Sequence, residues 1–379
     1  MLYRARLIVL LGLTLCLSPP PGRGQLTLNP DISVISRFLL STEDGSRLEE
    51  GVRQFSQVDF AFQELEIALQ GYLNPYARAD LFLTLPGPEL EGSSLGVEEV
   101  YASLLRGLPL DLTARFGKYR AEFGKINRQH PHMWPFITQP LSQEHFLGEE
   151  GLNDLGISLS ILLPTGDLYT SLTADILRGG SIGEATGIED TTDGAPLYAN
   201  SARLMAFFPV GDDADLELGL SGYTGIHDPY ERDRFWYANL DFKYKYRPST
   251  YTALTVQGEY LLNWRTASKD REFTPFLNPA GEAERRSITS SGLYLYLDYQ
   301  FLRIFSVGGR YDWSQAPYST EDRAEAGTLF FTYFPVEESL GIRLQYQHTR
   351  TESPDGRRGV NFIGLQLLFS LGVHKAHPF

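Results

Sequence analysis

The sequence predicts an all-β protein, a transmembrane antiparallel β-barrel of about 16 strands. Two observations support this prediction. Apolar and polar residues alternate with a period of two along much of the chain, which is typical of strands with one apolar face. Aromatic residues make up 13% of the 379 residues and gather near the ends of these strands, as the interfacial girdles of a membrane barrel do.

The composition argues against several other classes of protein. The formal net charge of −14 disfavours nucleic-acid binding, because phosphates need a basic surface. The single cysteine, Cys16, lies near the N-terminus, so we expect neither a disulfide nor thiol chemistry in the folded part of the chain. Beyond residue 17, no apolar run is long enough to cross a bilayer as a helix.

Residues 1–24 are predicted to be a secretory signal peptide, and residues 25–379 the barrel. A charged start, an apolar run and small residues follow one another in the expected order: Arg4 and Arg6, Leu7–Leu17, Gly22–Gly24. Lipoprotein processing at Cys16 is disfavoured, because the preceding Leu15 is bulky where a small residue is required.

Sixteen segments with strand patterning follow in order. The predicted strands are 32–40, 58–72, 76–85, 97–106, 110–124, 156–163, 168–178, 197–208, 215–226, 235–246, 251–265, 287–301, 304–314, 323–334, 340–351 and 359–379. The even number suits a single-chain barrel.

The connections between these strands are predicted to alternate between short and long. Proline suits the short turns because it would interrupt a strand ladder; these turns are expected near Pro75, Pro109, Pro164, Pro209, Pro248, Arg303 and Pro335. Longer loops are expected near 41–57, 86–95, 125–155, 179–196, 227–234, 266–286, 315–322 and 352–358. Short periplasmic turns and long outer loops are the pattern of outer-membrane barrels.

The last strand has one wholly apolar row and ends on an aromatic residue. That row contains Ile363, Leu365, Leu367, Phe369, Leu371 and Val373, and the chain stops at Phe379. A long amphipathic strand with this ending resembles the terminal assembly signal of outer-membrane β-barrel proteins. The resemblance implies a location in the outer membrane of a Gram-negative bacterium, in contact with its lipid and lipopolysaccharide.

The strand count and loop alternation resemble those of general porins, and the strand Arg115–Lys125 resembles the corresponding strand of phosphate-selective porins. These resemblances imply a water-filled channel for passive diffusion of small hydrophilic solutes and ions, a third outer loop folded into the pore, and a homotrimer. The predicted lumen carries charges of both signs, unlike the basic ladder of phosphate-selective porins, so phosphate specificity is not expected.

Six residues are candidates for the pore lining and constriction. Lys118, Arg120 and Glu122 share one phase of the fifth strand, and the set is completed by Arg78, Asp80 and Arg310. Arg115 falls in the opposite phase, so a bulge near Gly117 that re-aims part of this strand stays open as an alternative. Mixed charges around a lumen would select by size and weakly by sign.

Several residues bear on functions other than a channel. His130 and His132, with His145, could donate to a metal, but loop packing and pore lining explain them better, so neither a metal nor a cofactor is predicted. Without a nucleophile elbow or Walker loop, the sequence predicts no enzyme. The alternative function is a substrate-specific outer-membrane transporter or receptor barrel. A soluble β-sandwich is disfavoured because its long apolar strands would have open edges.

Overall fold

The computed structural model is a closed antiparallel barrel of sixteen strands, and this confirms the predicted fold class. It describes residues 30–46, 58–86, 95–181, 198–228, 232–269, 274–336, 339–354 and 356–372. The strands are β1 Asp31–Ser46, β2 Asp59–Asn74, β3 Ala77–Pro86, β4 Gly96–Leu104, β5 Thr113–Arg120, β6 Asn153–Leu162, β7 Tyr169–Leu177, β8 Ala199–Val210, β9 Ala214–Asp228, β10 Asp233–Ser249, β11 Thr252–Ala267, β12 Arg286–Phe301, β13 Phe305–Ala316, β14 Ser319–Val336, β15 Leu340–Ser353 and β16 Gly356–Gly372.

Every strand pairs with its sequence neighbours, and the first strand pairs with the last. The closing pair β1–β16 runs from Ser33 opposite Gly372 to Ser46 opposite Gly359. No helix in the described ranges is both long enough and apolar enough to cross a bilayer. Several predicted features lie outside the described residues: the signal peptide 1–24, Phe379, and most of the loops predicted at 41–57, 86–95 and 179–196.

The side chains form an apolar outer row and a polar inner row. Val307 and Phe331 are opposite one another on β13 and β14, and both are exposed. Ser306 and Thr332 are the adjacent opposed pair, and both are buried. Because a closed sheet encloses only its inner face, burial marks that face. The predicted period of two is therefore confirmed.

Exposed aromatic residues lie near both ends of the outer row. Trp236 and Trp264 are directly opposite one another on β10 and β11, towards the ends joined by long connections. Tyr246 and Tyr299 lie on the outer row near the short β10–β11 and β12–β13 turns, at the other end. Tryptophan and tyrosine favour the boundary between hydrocarbon and water, so the two clusters form the expected girdles.

The prediction of long loops at 315–322 and 352–358 is wrong. Ala316 pairs with Ser319, and Ser353 pairs with Gly356, so both hairpins continue almost to their tips. The charged residues that looked loop-like bond across strands instead: Glu352 pairs with Arg323 at 2.6 Å and Arg357 at 2.7 Å. Cross-strand pairs of opposite charge support sheet structure as well as solvent exposure.

Three prolines predicted to lie in turns lie inside strands. Pro209 is in β8, opposite Asp215. Pro248 and Pro335 are near the ends of β10 and β14, where the register shifts between Tyr246 and Ser249 and between Tyr333 and Val336. Proline is tolerated there because the ladder is already irregular or ending.

Candidate functional site

The connection between β5 and β6, residues 121–152, is the longest fully described one and is called the β5–β6 segment. It contains two 3₁₀ turns, Ile126–Arg128 and Pro131–Met133, and the helix α1, Leu141–Leu147. The Asn127 amide donates to the carbonyl oxygen of Ala121 at 2.9 Å, and its oxygen accepts from the N–H of Leu152 at 2.7 Å. One asparagine thus joins the two ends of the segment.

The segment begins earlier than predicted, because β5 ends at Arg120 rather than at Gly124. Gly124 has a φ of +66°, and a Cβ atom at this position would lie 2.2 Å from Oε2 of Glu259. Only glycine allows this conformation and this close approach, so the chain can turn away from the strand here.

Glu259 on β11 binds the start of the segment. Its Oε1 accepts hydrogen bonds from the backbone N–H groups of Lys125 at 2.9 Å and Ile126 at 2.7 Å. Its Oε2 accepts from the Gln143 amide at 3.1 Å, so one carboxylate also reaches α1. Charge-assisted hydrogen bonds of this kind are about twice as strong as neutral ones.

Arg310 on β13 binds the middle of the segment. It pairs with Asp312 at 2.7 Å and donates to the carbonyl oxygen of Thr138 at 2.6 Å. Its guanidinium also lies 4.1 Å from the ring centre of Phe136, a cation–π contact. On β15, the Gln345 side chain accepts from the N–H of Ile137 at 2.6 Å.

Aromatic side chains of the segment pack on inner-row tyrosines. Phe123 packs against Tyr223, and Phe146 packs edge-on against Tyr237. Phe136 packs edge-on against Tyr296, in a second cluster. The segment therefore contacts strands on several sides of the barrel by both packing and hydrogen bonding.

All six sequence-predicted residues make close polar contacts, but not in one group. Arg78 pairs with Asp80 at 2.7 Å on β3, and Arg310 binds the segment as described. Arg120 pairs with Glu98 of β4 at 2.6 Å. The hydroxyl of Thr173 donates to Glu122 at 3.1 Å, and Arg128 lies 3.5 Å from the same carboxylate.

The position of Lys118 contradicts the prediction that this residue of β5 faces the lumen. It is opposite Val100 and Leu155, both exposed and apolar, so it belongs to the outer row. Its ammonium group donates to the carbonyl oxygen of Val97 at 3.0 Å.

Arg115, which was expected in the opposite phase, lies on the inner row. Its guanidinium is 4.7 Å from the ring centre of Tyr101 and 5.3 Å from that of Tyr119. Between Arg115 and Tyr119, Gly117 has a φ of +135°, and a Cβ atom there would lie 2.1 Å from the Val100 carbonyl oxygen. The irregularity at Gly117 is present, but the pairing stays in register.

His130 and His132 lie together beside carboxylates of β2 and β4. Nδ1 of His130 is 3.0 Å from Oε2 of Glu66, and Nδ1 of His132 is 3.4 Å from the same oxygen. Nε2 of His130 is 2.8 Å from Oε1 of Glu99. His145 is elsewhere, hydrogen-bonded to the Ser314 hydroxyl. No local signal in the sequence marks Glu66 or Glu99 as partners of the histidines, because the strand pattern alone explains them.

Burial lowers the pKa of both histidines, and the carboxylates oppose this effect. For His130, attraction to Glu66 and Glu98 outweighs burial, so its pKa is raised well above the ordinary value. For His132, burial outweighs the attraction to Glu66, so its pKa is lowered. Of the two rings, His130 therefore carries the proton when no other cation is bound.

Among the cavities that adjoin the β5–β6 segment, two are bordered by Ile35, His132 and Met133. The first, of about 260 Å³, lies towards the short-turn end, and its charged groups are Lys243, Lys245, Asp298 and Arg343. The second, of about 310 Å³, is bordered by the charged groups Glu66, Glu99, Arg115, Arg120 and Arg128 and by His130. Polar, charged walls of this kind suit water and small hydrophilic solutes.

Comparison with known proteins identifies a relative in Aquifex aeolicus (strain VF5), whose description is "Uncharacterized protein". The two sequences are 31% identical over 350 residues, covering 84% of this chain and 70% of the relative. The chain belongs to the same family as this protein. No protein-family model matches the sequence.

Solved structures with the same fold are outer-membrane porins and channels. The outer-membrane channel DcaP of Acinetobacter baumannii has a TM-score of 0.58 and 12% identity, over 92% of this chain and 99% of DcaP. The anion-selective porin of Comamonas acidovorans has a TM-score of 0.59 and 9% identity, over 91% of this chain and 100% of the porin. Pseudomonas putida OprB has a TM-score of 0.57 and 10% identity, over 91% and 94%. At these identities the likeness shows a porin-type barrel fold and no more.

Proposed function

We propose that this protein is an outer-membrane porin of a Gram-negative bacterium, through which small hydrophilic solutes and ions diffuse passively. The observation that supports this most is the division of side chains into an exposed apolar outer row and a charged inner row around a closed barrel. Lipid outside and water inside are the two solvents that such a division suits.

We propose that the β5–β6 segment crosses the lumen and forms its constriction. Its hydrogen bonds and ion pairs reach Glu66 on β2, Glu259 on β11, Arg310 on β13 and Gln345 on β15. Strands so far apart around a barrel are bridged most directly through its interior. Passage would then be limited by size at this level, with an electrostatic bias from the charged walls.

The charges beside the two cavities support a modest preference for anions. Among the charged groups that line the cavity near the short turns, Lys243, Lys245 and Arg343 are basic and Asp298 is acidic. Anions would therefore be enriched there over cations.

The proposed contacts of the protein with its surroundings follow from the outer row, which would contact outer-membrane lipid and lipopolysaccharide. The proposed homotrimer follows instead from the resemblance to general porins. Transport, rather than catalysis, is the proposed activity, and it requires neither a cofactor nor nucleic acid.

Conductance of the purified protein in planar bilayers tests this function. We expect ohmic single-channel openings. Under a salt gradient, we expect a small reversal potential whose sign indicates a preference for anions. A protein that inserts into the bilayer but never conducts would contradict passive diffusion.

A substrate-specific transporter or receptor barrel is the second candidate, and one observation favours it. The packing of Phe123 and Phe146 against inner-row tyrosines occupies part of the barrel that an open porin leaves to water. A silent protein that binds one solute tightly would support this candidate over the porin.

A further inference from the structure

The buried cluster of Glu66, His130 and His132 has the composition of a metal site. One atom from each residue can be chosen so that all three lie within 4.8 Å of one another. All three side chains are at least nine-tenths buried. Imidazole nitrogen with carboxylate oxygen is a donor set that suits Zn²⁺ and related divalent transition metals.

The distances match four-coordinate geometry. Metal–ligand bonds of 2.0–2.1 Å in a tetrahedron separate the ligand atoms by about 3.3 Å. The two histidine Nδ1 atoms lie 3.0 and 3.4 Å from Oε2 of Glu66. These contacts therefore already have the spacing of ligands around one ion.

The orientation of the atoms also points to a shared ligand. Although Nδ1 of His130 and Oε2 of Glu66 are close, neither atom forms a well-aligned hydrogen bond with any described residue. Two buried polar atoms that are close but poorly aligned are costly without a common partner. An ion between them would satisfy both.

Glu99 supplies the supporting contact that metal-binding histidines require. Its carboxylate is 2.8 Å from Nε2 of His130, the nitrogen that faces away from Glu66. A carboxylate on the far nitrogen holds the proton there and directs the lone pair of Nδ1 towards the metal. The pair of Glu99 and His130 therefore has the arrangement of a carboxylate–histidine–metal unit.

The local charge balance favours a divalent cation. Glu98 is paired with Arg120, although its Oε1 also lies 3.4 Å from Nδ1 of His130. Glu64 is paired with Arg37. Within the described ranges, the ion pairs of Glu66 and Glu99 are with histidine alone. With both histidines neutral, Glu66 and Glu99 keep their negative charges, which one divalent ion would offset.

We propose that Glu66, His130 and His132 bind one divalent transition-metal ion, which ties the β5–β6 segment to strand β2. Pro131 holds the two histidines on the same side of a 3₁₀ turn, with their ring centres 5.6 Å apart. The fourth position opens towards the 310 Å³ cavity that the cluster borders, which provides a path for the ion and room for a water ligand. The site is independent of whether the barrel conducts.

Metal binding is measured directly on full-length, untagged protein in detergent. After chelator treatment and dialysis, Zn²⁺ is titrated against a competing indicator, and bound zinc is counted by elemental analysis. We expect one ion per chain in the parent. Glu66→Gln and His132→Gln should lose the ion, and Glu99→Gln should weaken binding about 10- to 100-fold. His145→Gln is the matched control from the same segment and should bind as the parent does.

Folding of each variant is checked by heat-dependent migration in gels and by tryptophan fluorescence. If a variant fails to fold, Co²⁺ bound to the parent decides instead: intense visible absorption of a four-coordinate ion, displaced by one equivalent of Zn²⁺, supports the site. Failure of the parent to bind Zn²⁺ or Co²⁺, or equal binding by folded Glu66→Gln, would overturn the proposal. The cluster would then be an ion pair of protonated His130 with its carboxylates.

Discussion

Arg310 illustrates how a single inner-row residue holds the β5–β6 segment. Replacement by alanine would leave the Asp312 carboxylate buried and unpaired, and would remove the donors to Thr138. Breaking a buried pair by removing one partner costs about 3–5 kcal/mol. We therefore expect Arg310→Ala to lower the free energy of unfolding by this amount, measured by reversible denaturant unfolding in detergent.

Arg323→Ala is the control for Arg310→Ala, because Arg323 pairs with Glu352 in an exposed position. Exposed ion pairs contribute little, so no measurable loss is expected. Equal unfolding free energies for the two variants would show that Arg310 does not have the anchoring role assigned to it.

The anion preference expected of the channel depends on Lys243 and Lys245. The double substitution of both lysines by glutamine removes two positive charges beside the cavity near the short turns. We expect the reversal potential in a salt gradient to move towards that of cation preference, with single-channel conductance still present. Lys118→Gln, on the outer row, should leave the reversal potential unchanged. A shift of the same size from Lys118→Gln would contradict the strand phase described here.

At the level of residues, the local sequence pattern predicted well which face of a strand a residue lies on. It predicted poorly which residues of other segments that residue contacts. Asp80 and Arg310 lie on the inner row as the period of two predicted. Lys118 was misplaced, because the apolar residues opposite it are on other strands and not in its own sequence. Glu66 was missed beside His130 for the same reason: the contact depends on how a distant segment meets β2.

The β5–β6 segment is the element on which the proposed size limit depends. Ala121 N–H donates to the Leu152 carbonyl oxygen at 2.9 Å, so the two ends remain paired like a hairpin. Replacing residues 123–150 by Gly-Gly should therefore close the connection without straining β5 or β6. We expect single-channel conductance to rise several-fold, because the proposed constriction is removed.

A shortened β11–β12 connection controls for the deletion. Residues 278–281 form an exposed turn in that connection, and their replacement by Gly-Gly should leave conductance unchanged. If the 123–150 deletion folds and conducts no better than the parent, the segment does not limit passage.

The strands were predictable as elements, but their ends were not. Alternation of apolar and polar residues marked all sixteen strands, because one face of each lies on the outer row and the other on the inner row. Polar hairpin tips such as Ser353 and Gly356 carry no apolar row, so the sequence did not distinguish a continuing ladder from a loop. The compact turns of 121–152 depend on inner-row partners such as Glu259, which local propensity does not register.

On the scale of the whole molecule, closure of the sheet joins sixteen strands with the same alternating pattern into one barrel. The pairing of β1 with β16 leaves the barrel without a free edge, as a barrel in a bilayer requires. In the proposed porin, the outer and inner rows would meet lipid and water around the complete circumference. The proposed channel, its constriction and its ion preference all depend on this separation of solvents.

Thiol labelling across two opposed pairs tests that separation most directly. The chain has one cysteine, Cys16, within the predicted signal peptide, so single-cysteine variants of the mature barrel in liposomes give a clean signal. A water-soluble, membrane-impermeant thiol reagent should label Ser306→Cys and Thr332→Cys, which border the cavity near the short turns, but not Val307→Cys or Phe331→Cys. Labelling of the second pair and protection of the first, or no alternation at all, would contradict a barrel with water inside and lipid outside.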